Sequence, residues 1–264
     1  MMLLFWFVII GLICVLLVRA NKLTRSGAIA AYFVGLFTVL GVGSNGLLLF
    51  LLFFGSSIVW SRLKDANRDE AIVEKSGARD AAQVIANGGV AAFCSFLMFV
   101  FPTFALVGLV GFVGSLAAAT ADTWSSELGK FSKDKPVHLF TRKRVDAGVS
   151  GAVSSLGLAA AIAGSFIIAA GAVFLWWNLT GSSHMWLLLF TVIGFIAHLV
   201  DSALGASVQS LYQCPSCGLM TEKTFHCQKT TRVKGFSFVT NDVVNLCCTG
   251  AGALLSIVAL QFFG

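Results

Sequence analysis

The sequence predicts an all-α integral membrane protein: a polytopic bundle of about eight transmembrane helices, with polar residues gathered at one face. Three observations carry this. Hydrophobic residues make up 57% of the 264-residue chain and charged residues only 11%, a balance typical of membrane-embedded chains. Eight apolar runs of near-spanning length follow one another. Every Lys, Arg, Asp and Glu falls within or just beside four loops at about 19–25, 61–83, 122–149 and 204–240.

A spanning helix needs about 20 mostly apolar residues, with roughly 17–25 tolerated. The runs lie at about 2–18, 26–42, 47–60, 84–100, 103–121, 150–175, 184–203 and 241–262. The first carries no basic residue ahead of its apolar stretch; Arg19, Lys22 and Arg25 follow it, so it reads as a span rather than a signal peptide. Runs two and three are separated by Gly43-Ser-Asn-Gly46, and four and five by Phe101-Pro-Thr103. Both are expected to be tight helical hairpins, and an odd count with one hairpin re-entrant is the alternative. The whole of 1–264 reads as one polytopic domain.

The basic residues divide as three from Arg19 to Arg25, five from Arg62 to Arg79, six from Lys130 to Arg144 and four from Lys223 to Lys234. The connections around Gly43–Gly46, Phe101–Phe104 and Trp176–His184 carry no formal charge apart from any on His184. The positive-inside rule then puts the charged loops in the cytoplasm, or the stroma of a plastid, and both termini outside. The net charge of +6 is accounted for by this signal and by attraction to anionic lipid headgroups. No aromatic-interleaved basic surface marks a nucleic-acid reader. Asn178-Leu-Thr180 is a glycosylation sequon on the outer face, relevant only on a eukaryotic secretory route. Composition leaves a homo-oligomer open.

Of the seven cysteines, Cys14, Cys94, Cys247 and Cys248 lie in apolar sequence and read as small packing residues. Cys214-Pro-Ser-Cys217 followed by His226-Cys227 is different. Its spacing can supply four ligands to a structural Zn²⁺, although a second Cys-x-x-Cys or a His-x-x-x-His is missing.

Three acids press against the apolar runs. Asp122 follows a stretch with no charge since Asp80, Asp201 interrupts the seventh run, and Asp242 opens the eighth. An Asp buried mid-bilayer costs about 2.5–3.5 kcal/mol on insertion scales, less near the interface. Asp242 also suits an ordinary helix N-terminus, where carboxylates are favoured. Asp122 and Asp201 are expected near the C-terminal ends of their helices, where the dipole disfavours them. Mg²⁺ is the natural compensation, because it takes oxygen ligands and keeps substrate phosphates in its shell. His198 lies less than one turn before Asp201 and extends that site little. The cationic half is available in Arg79, Lys130 and Arg142-Lys143-Arg144. Arg79, Gln83 and Asn87 fall at i, i+4 and i+8, a polar stripe entering a membrane helix. Simple helix capping is the plainer reading of that stripe. No Walker motif, Gly-x-Ser-x-Gly elbow or His-Glu-x-x-His is present.

Four ordered blocks carry a resemblance: Arg79-Asp80-Ala-Ala-Gln83-Val-Ile-Ala-Asn87-Gly-Gly89, Ala121-Asp122-Thr-Trp-Ser-Ser-Glu127-Leu-Gly129, Asp201-Ser-Ala-Leu-Gly205-Ala-Ser-Val-Gln209 and Asn241-Asp242-Val-Val-Asn245. They resemble the transmembrane protein 19 family, also called domain of unknown function 92, over nearly the whole chain. A plant branch of that family is known as phytyl-phosphate kinase. The order of Asp122, Gly129-Lys130 and Lys143-Arg144 through Gly148 is also distantly similar to membrane polyprenol kinases and phosphatidate cytidylyltransferases. The resemblance implies transfer of a phosphoryl group from a nucleoside triphosphate, CTP favoured, to a prenyl monophosphate such as phytyl or geranylgeranyl phosphate. On this reading Asp122, Asp201 and Asp242, with Glu127, hold Mg²⁺ and nucleotide phosphates. Arg79, Lys130, Lys143 and Arg144 neutralise charge, and Gln83, Asn87, Gln209, Asn241 and Asn245 orient oxygens. The prenyl tail lies among the helices. The competing class is a transporter, flippase or scramblase of lipid phosphates or ions, which intramembrane-edge carboxylates would suit. It would need a polar pathway to the opposite face, and the sequence shows none. A non-catalytic scaffold would leave the polar stripe of the fourth run unexplained.

Overall fold

The computed structural model describes residues 2–62, 75, 77–146, 148–177 and 182–263; the sequon Asn178-Leu-Thr180 and most of the second charged loop lie outside them. Among the described residues there are eight α-helices: α1 (Met2–Arg19), α2 (Arg25–Gly41), α3 (Ser44–Arg62), α4 (Ala81–Val100), α5 (Ala105–Gly129), α6 (Ser155–Ala172), α7 (Ser183–Ser207) and α8 (Asn241–Phe263). Six are long and apolar enough to cross a membrane, and α1 and α2 are shorter apolar helices. The two hairpins form as expected. Gly43 supplies the left-handed turn between α2 and α3 at φ 83°, and Pro102–Phe104 makes one 3₁₀ turn between α4 and α5.

The helix ends differ from the sequence expectation. α5 continues to Gly129 and α7 to Ser207, so Asp122 and Asp201 stand inside helices with the last turn or two beyond them. The argument from the dipole at a helix end therefore does not apply to either. In α5 the polar extension is held by side chains of α3: Trp124 Nε1 donates to Ser56 Oγ at 2.9 Å, and the Trp124 ring stands edge-on to Trp60. Arg79 also moves. α4 starts at Ala81, with Asp80 as N-cap in a reciprocal capping box with Gln83. The helical stripe thus begins at Gln83, and Arg79 precedes it. Arg79 instead pairs with Leu23 of the α1–α2 loop. Thr24 N–H donates to Arg79 O at 3.0 Å and Arg79 N–H to Lys22 O at 3.1 Å.

The centre of the bundle is α5, which packs against α3, α4, α6, α7 and α8 and is buried along most of its length. Lipid tails are as apolar as leucine, so helices in a bilayer gain little from burial alone and associate through close packing and hydrogen bonds. The sequence of α5 meets that need with Gly108, Gly111, Gly114, Ala117, Ala118 and Ala121. At Gly114 a Cβ would collide with Gly252 O and Ser256 of α8. On α7, Gly194 would collide with Ser165 of α6 and crowd Ala117. Some hydroxyls within the spans return to their own helices, as with Thr38 to Val34 O and Thr120 to Leu116 O, both 2.7 Å, and others cross between helices, as with Ser95 to Phe37 O at 3.0 Å and Thr249 to Ala86 O at 2.9 Å.

The last two charged loops hold short β-ribbons that the all-α reading did not anticipate. β1 (Val137–His138) pairs with β2 (Ala152–Val153) between α5 and α6. Between α7 and α8, β3 (Leu211–Gln213) lies between β4 (Met220–Thr221) and β7 (Thr231–Lys234), and β5 (Phe225–His226) forms a hairpin with β6 (Gln228–Lys229).

Candidate functional site

Two adjoining polar cavities lie where the helices meet the charged loops. The first, about 370 Å³, is lined by Arg79, Gln83, Asn87, Asp122, Glu127, Asp201, Asn241 and Asn245. The second, about 460 Å³, runs from the same acids toward Lys130, Gly148–Ser154, His198, Gln209 and Glu222. Asp122, Glu127, Asp201, Asn241 and Lys75 line both.

Asp122 is the hub. Its Oδ1 lies 3.1 Å from His198 Nδ1, and Asp201 lines the same two cavities. His198 Nε2 lies 3.1 Å from Ser125 Oγ. With its amide turned so that NH₂ faces the carboxylate, Asn245 donates to Asp201 Oδ2 at 3.3 Å. Ser125, His198 and Asp122 thus form one chain between α5 and α7, and Asp201 and Asn245 a pair between α7 and α8. Asp122 and His198 are nearly closed to solvent, with relative exposures of 9% and 4%. A buried carboxylate needs such partners.

The cations stand around this hub. Arg79 donates to Ser57 Oγ at 2.7 Å, and its guanidinium lies 4.9 Å from the centre of the Phe54 ring. Burial lowers its pKa, opposed by the charge of Glu127. Lys75 donates to Asp242 and, at 2.9 Å, to Asp80. Partial burial works to lower Lys75, but the two carboxylates outweigh it and hold the ammonium above its ordinary value.

The structure gathers Asp122, Asp201, Glu127, Arg79, Gln83, Asn87, Asn241 and Asn245 around the first cavity, and Lys130 and Gln209 around the second. Asp242 lines neither cavity and pairs with Lys75. Lys143 and Arg144 are exposed beside the β1–β2 ribbon and line neither cavity. Gln83 is committed to the Asp80 cap, and Asn87 Nδ2 donates to Gln83 O at 2.9 Å. Sequence reasoning set His198 aside as adding little to the Asp201 site, and passed over Ser125, Lys75 and Glu222. The signal for His198 was its i, i+3 spacing to Asp201, and for Ser125 the same spacing from Asp122, which puts each on the face of its helix that carries the acid.

A third, apolar groove of about 510 Å³ runs between α2 and α4, from Ser26 and Ala81 at the charged end to Phe37 and Phe96. In the α7–α8 loop, Cys214, Cys217, His226 and Cys227 form a cluster able to hold a metal ion, with ligand atoms all within 4.8 Å of one another.

The family model described as integral membrane protein DUF92 matches residues 8–253. The chain belongs to the DUF92 family. It is therefore an integral, multi-pass membrane protein, and the eight-helix bundle around Asp122 and Asp201 is a DUF92 structure. Among curated proteins, this DUF92 chain is 31% identical over 203 residues to the uncharacterized membrane protein MJ0933 of Methanocaldococcus jannaschii, covering 76% of the chain and 82% of the relative. It is 29% identical to the chloroplastic protein VTE6 of Arabidopsis thaliana, over 91% of the chain and 66% of VTE6. With protein PGR of the same plant the identity is 28%, over 78% of the chain and 79% of PGR. No solved structure matches this DUF92 chain.

Proposed function

We propose that this DUF92 protein is a membrane-embedded prenyl-phosphate kinase. It transfers the terminal phosphoryl group of a nucleoside triphosphate, CTP favoured, to a prenyl monophosphate such as phytyl or geranylgeranyl phosphate. The observation that carries this is that Asp122 and Asp201 line one polar cavity with Arg79 and Lys75, while Lys130 lines the cavity adjoining it. The plant branch of the family, known as phytyl-phosphate kinase, supports the same reading.

In the reaction an oxygen of the prenyl phosphate attacks the γ-phosphorus. The bond from that phosphorus to the β,γ-bridging oxygen breaks, and the nucleoside diphosphate leaves with the electron pair. A phosphate monoester has its second pKa near 6 and is largely dianionic at neutral pH, so no general base is required. What the site must supply is alignment and neutralisation of phosphate charge. Asp122 and Asp201 fit Mg²⁺: both offer hard oxygen donors, they adjoin, and they line the cavity. When bound, the ion would neutralise phosphate charge. His198, whose Nδ1–H donates to Asp122, fixes the orientation of that carboxylate, and Arg79 faces the same space. Asp242 acts through Lys75, which it holds at the rim. The groove between α2 and α4 suits the prenyl tail, and it begins at Ser26 and Ala81, beside the loop residues Asn21 and Lys22 of the first cavity.

The test is turnover by purified protein with Mg²⁺, a panel of prenyl monophosphates, and CTP, ATP, GTP or UTP, with prenyl diphosphate followed by mass spectrometry. Absence of product from folded protein with every pair would turn the reading to lipid transport. Within this assay, Arg79→Ala is expected to lower kcat/KM by about 10²–10³-fold, the cost of removing a preorganised charge-stabilising donor. Lys143→Ala and Arg144→Ala, which line neither cavity, are expected to stay within about threefold of wild type. His198→Gln is expected to raise the Mg²⁺ concentration for half-maximal rate by about 10–100-fold, as loss of an outer-shell partner does.

A further inference from the structure

We propose that Cys214, Cys217, His226 and Cys227 form a structural zinc site that clamps the α7–α8 loop and, through it, the Glu222 wall of the second cavity. The clamp is built from two turns. Cys214 and Cys217 flank a turn closed by Gly218 N–H to Cys214 O at 2.8 Å and Cys214 N–H to Leu219 O at 2.9 Å, with Gly218 left-handed at φ 73°. Facing it, the β5–β6 hairpin turns on one residue, Cys227, at φ 47°. Side chains other than glycine rarely accept that conformation. Here it lets two consecutive residues, His226 and Cys227, aim at one centre.

The distances suit a tetrahedral ion. His226 Nδ1 lies 3.6 Å from Cys217 Sγ and 3.4 Å from Cys227 Sγ. Zn–N of about 2.0–2.1 Å and Zn–S of about 2.3 Å at a tetrahedral angle place nitrogen and sulfur about 3.6 Å apart. Three sulfurs and an imidazole select a borderline-soft ion over Mg²⁺ or Ca²⁺.

The loop has need of a cross-link. Its strands are two to four residues long, and Phe225, Phe236 and Phe238 are 68%, 55% and 73% exposed, so it has little apolar core of its own. A small unit of that kind is held by metal or disulfide. Glu222 lies between the two halves of the cluster, and its Oε1 accepts from Ser150 Oγ at 2.7 Å and from Gln209 Nε2 at 2.8 Å. The metal site thus fixes the segment that joins the two charged loops at the cavity. The site stands independently of the kinase reading; only its bearing on turnover rests on that reading.

The test uses the full chain purified in detergent under reducing conditions. Elemental analysis is expected to find one zinc per chain, and replacement by Co²⁺ to give the thiolate charge-transfer and d–d bands of a tetrahedral site. Cys227→Ser and Cys214→Ser are each expected to lower zinc content by at least about tenfold at a fixed chelator concentration. Stripping zinc from the wild-type protein should speed tryptic cleavage after Lys223 and Lys229 by about tenfold, reversed by added Zn²⁺. A wild-type chain with free thiols, no zinc and no Co²⁺ spectrum would overturn the site. So would a disulfide among the three cysteines in place of bound metal. Zinc that binds without altering cleavage would overturn the clamp. Prenyl-phosphate turnover is scored separately, so a zinc-loaded protein without kinase activity defeats the kinase reading and leaves this one standing.

Discussion

Asp122→Asn is expected to reduce prenyl diphosphate formation by at least about 10³-fold while leaving the protein folded. The two side chains have the same shape and nearly the same volume, so packing of α5 against α7 is kept. The amide oxygen can still accept from His198 Nδ1, now 3.1 Å from Asp122 Oδ1. What disappears is one negative charge beside Asp201. On the proposed reading the site then loses a ligand for Mg²⁺, and Arg79 and Lys75 face a less acidic wall. Size-exclusion profile and thermal midpoint in detergent should match wild type, while turnover is at background. Turnover near the wild-type rate would remove Asp122 from the chemistry and with it the kinase assignment.

The second large effect falls on the fold. Gly114→Val is expected to cost about 3 kcal/mol or more, the upper range for overpacking a closely packed contact, and to yield little monodisperse protein. A Cβ at Gly114 runs into the Gly252 carbonyl and Ser256, and neither can retreat without moving α8. Since α8 carries Asn241 and Asn245 into the first cavity, any folded remainder should also bind nucleotide poorly. Gly250→Val is the control. It adds the same isopropyl group on α8 where nothing lies within 4 Å of the new Cβ, and its thermal midpoint should stay within a few degrees of wild type. Equal behaviour of the two variants would show that the α5–α8 crossing is looser than the structure indicates.

The eight helices were legible because a bilayer demands long apolar runs, a property written locally in the sequence. Their ends were not. Thr123 through Gly129 read as loop because polar residues usually leave the membrane, yet Ser56, 68 residues away, bonds Trp124 and keeps the helix going. Asp122 and Asp201 stood out through the cost of placing carboxylates beside apolar sequence. His198 did not, because the residue that gives it meaning is 76 positions away on another helix. Lys143 and Arg144 illustrate the opposite case. A basic tripeptide reads the same whether it meets a phosphate or water, and the structure holds these two side chains out on a ribbon. The Cys214–Cys227 spacing was visible, but the left-handed turn at Cys227 that converges the ligands was not.

The backbone pairing of Leu23 with Arg79 ties the hairpin of α1 and α2 to the cavity wall. Gly27 sits so close to the Arg79 carbonyl that a Cβ there would collide with it. Equilibria joined through a shared residue are reciprocal. An anion that prefers Arg79 in this position favours the seated hairpin by as much as the seated hairpin favours the anion. The first two helices, which carry none of the carboxylates, thereby share in the affinity of the site. Their exposed lipid-facing surface is where an optical reporter of occupancy can be attached without entering the cavity.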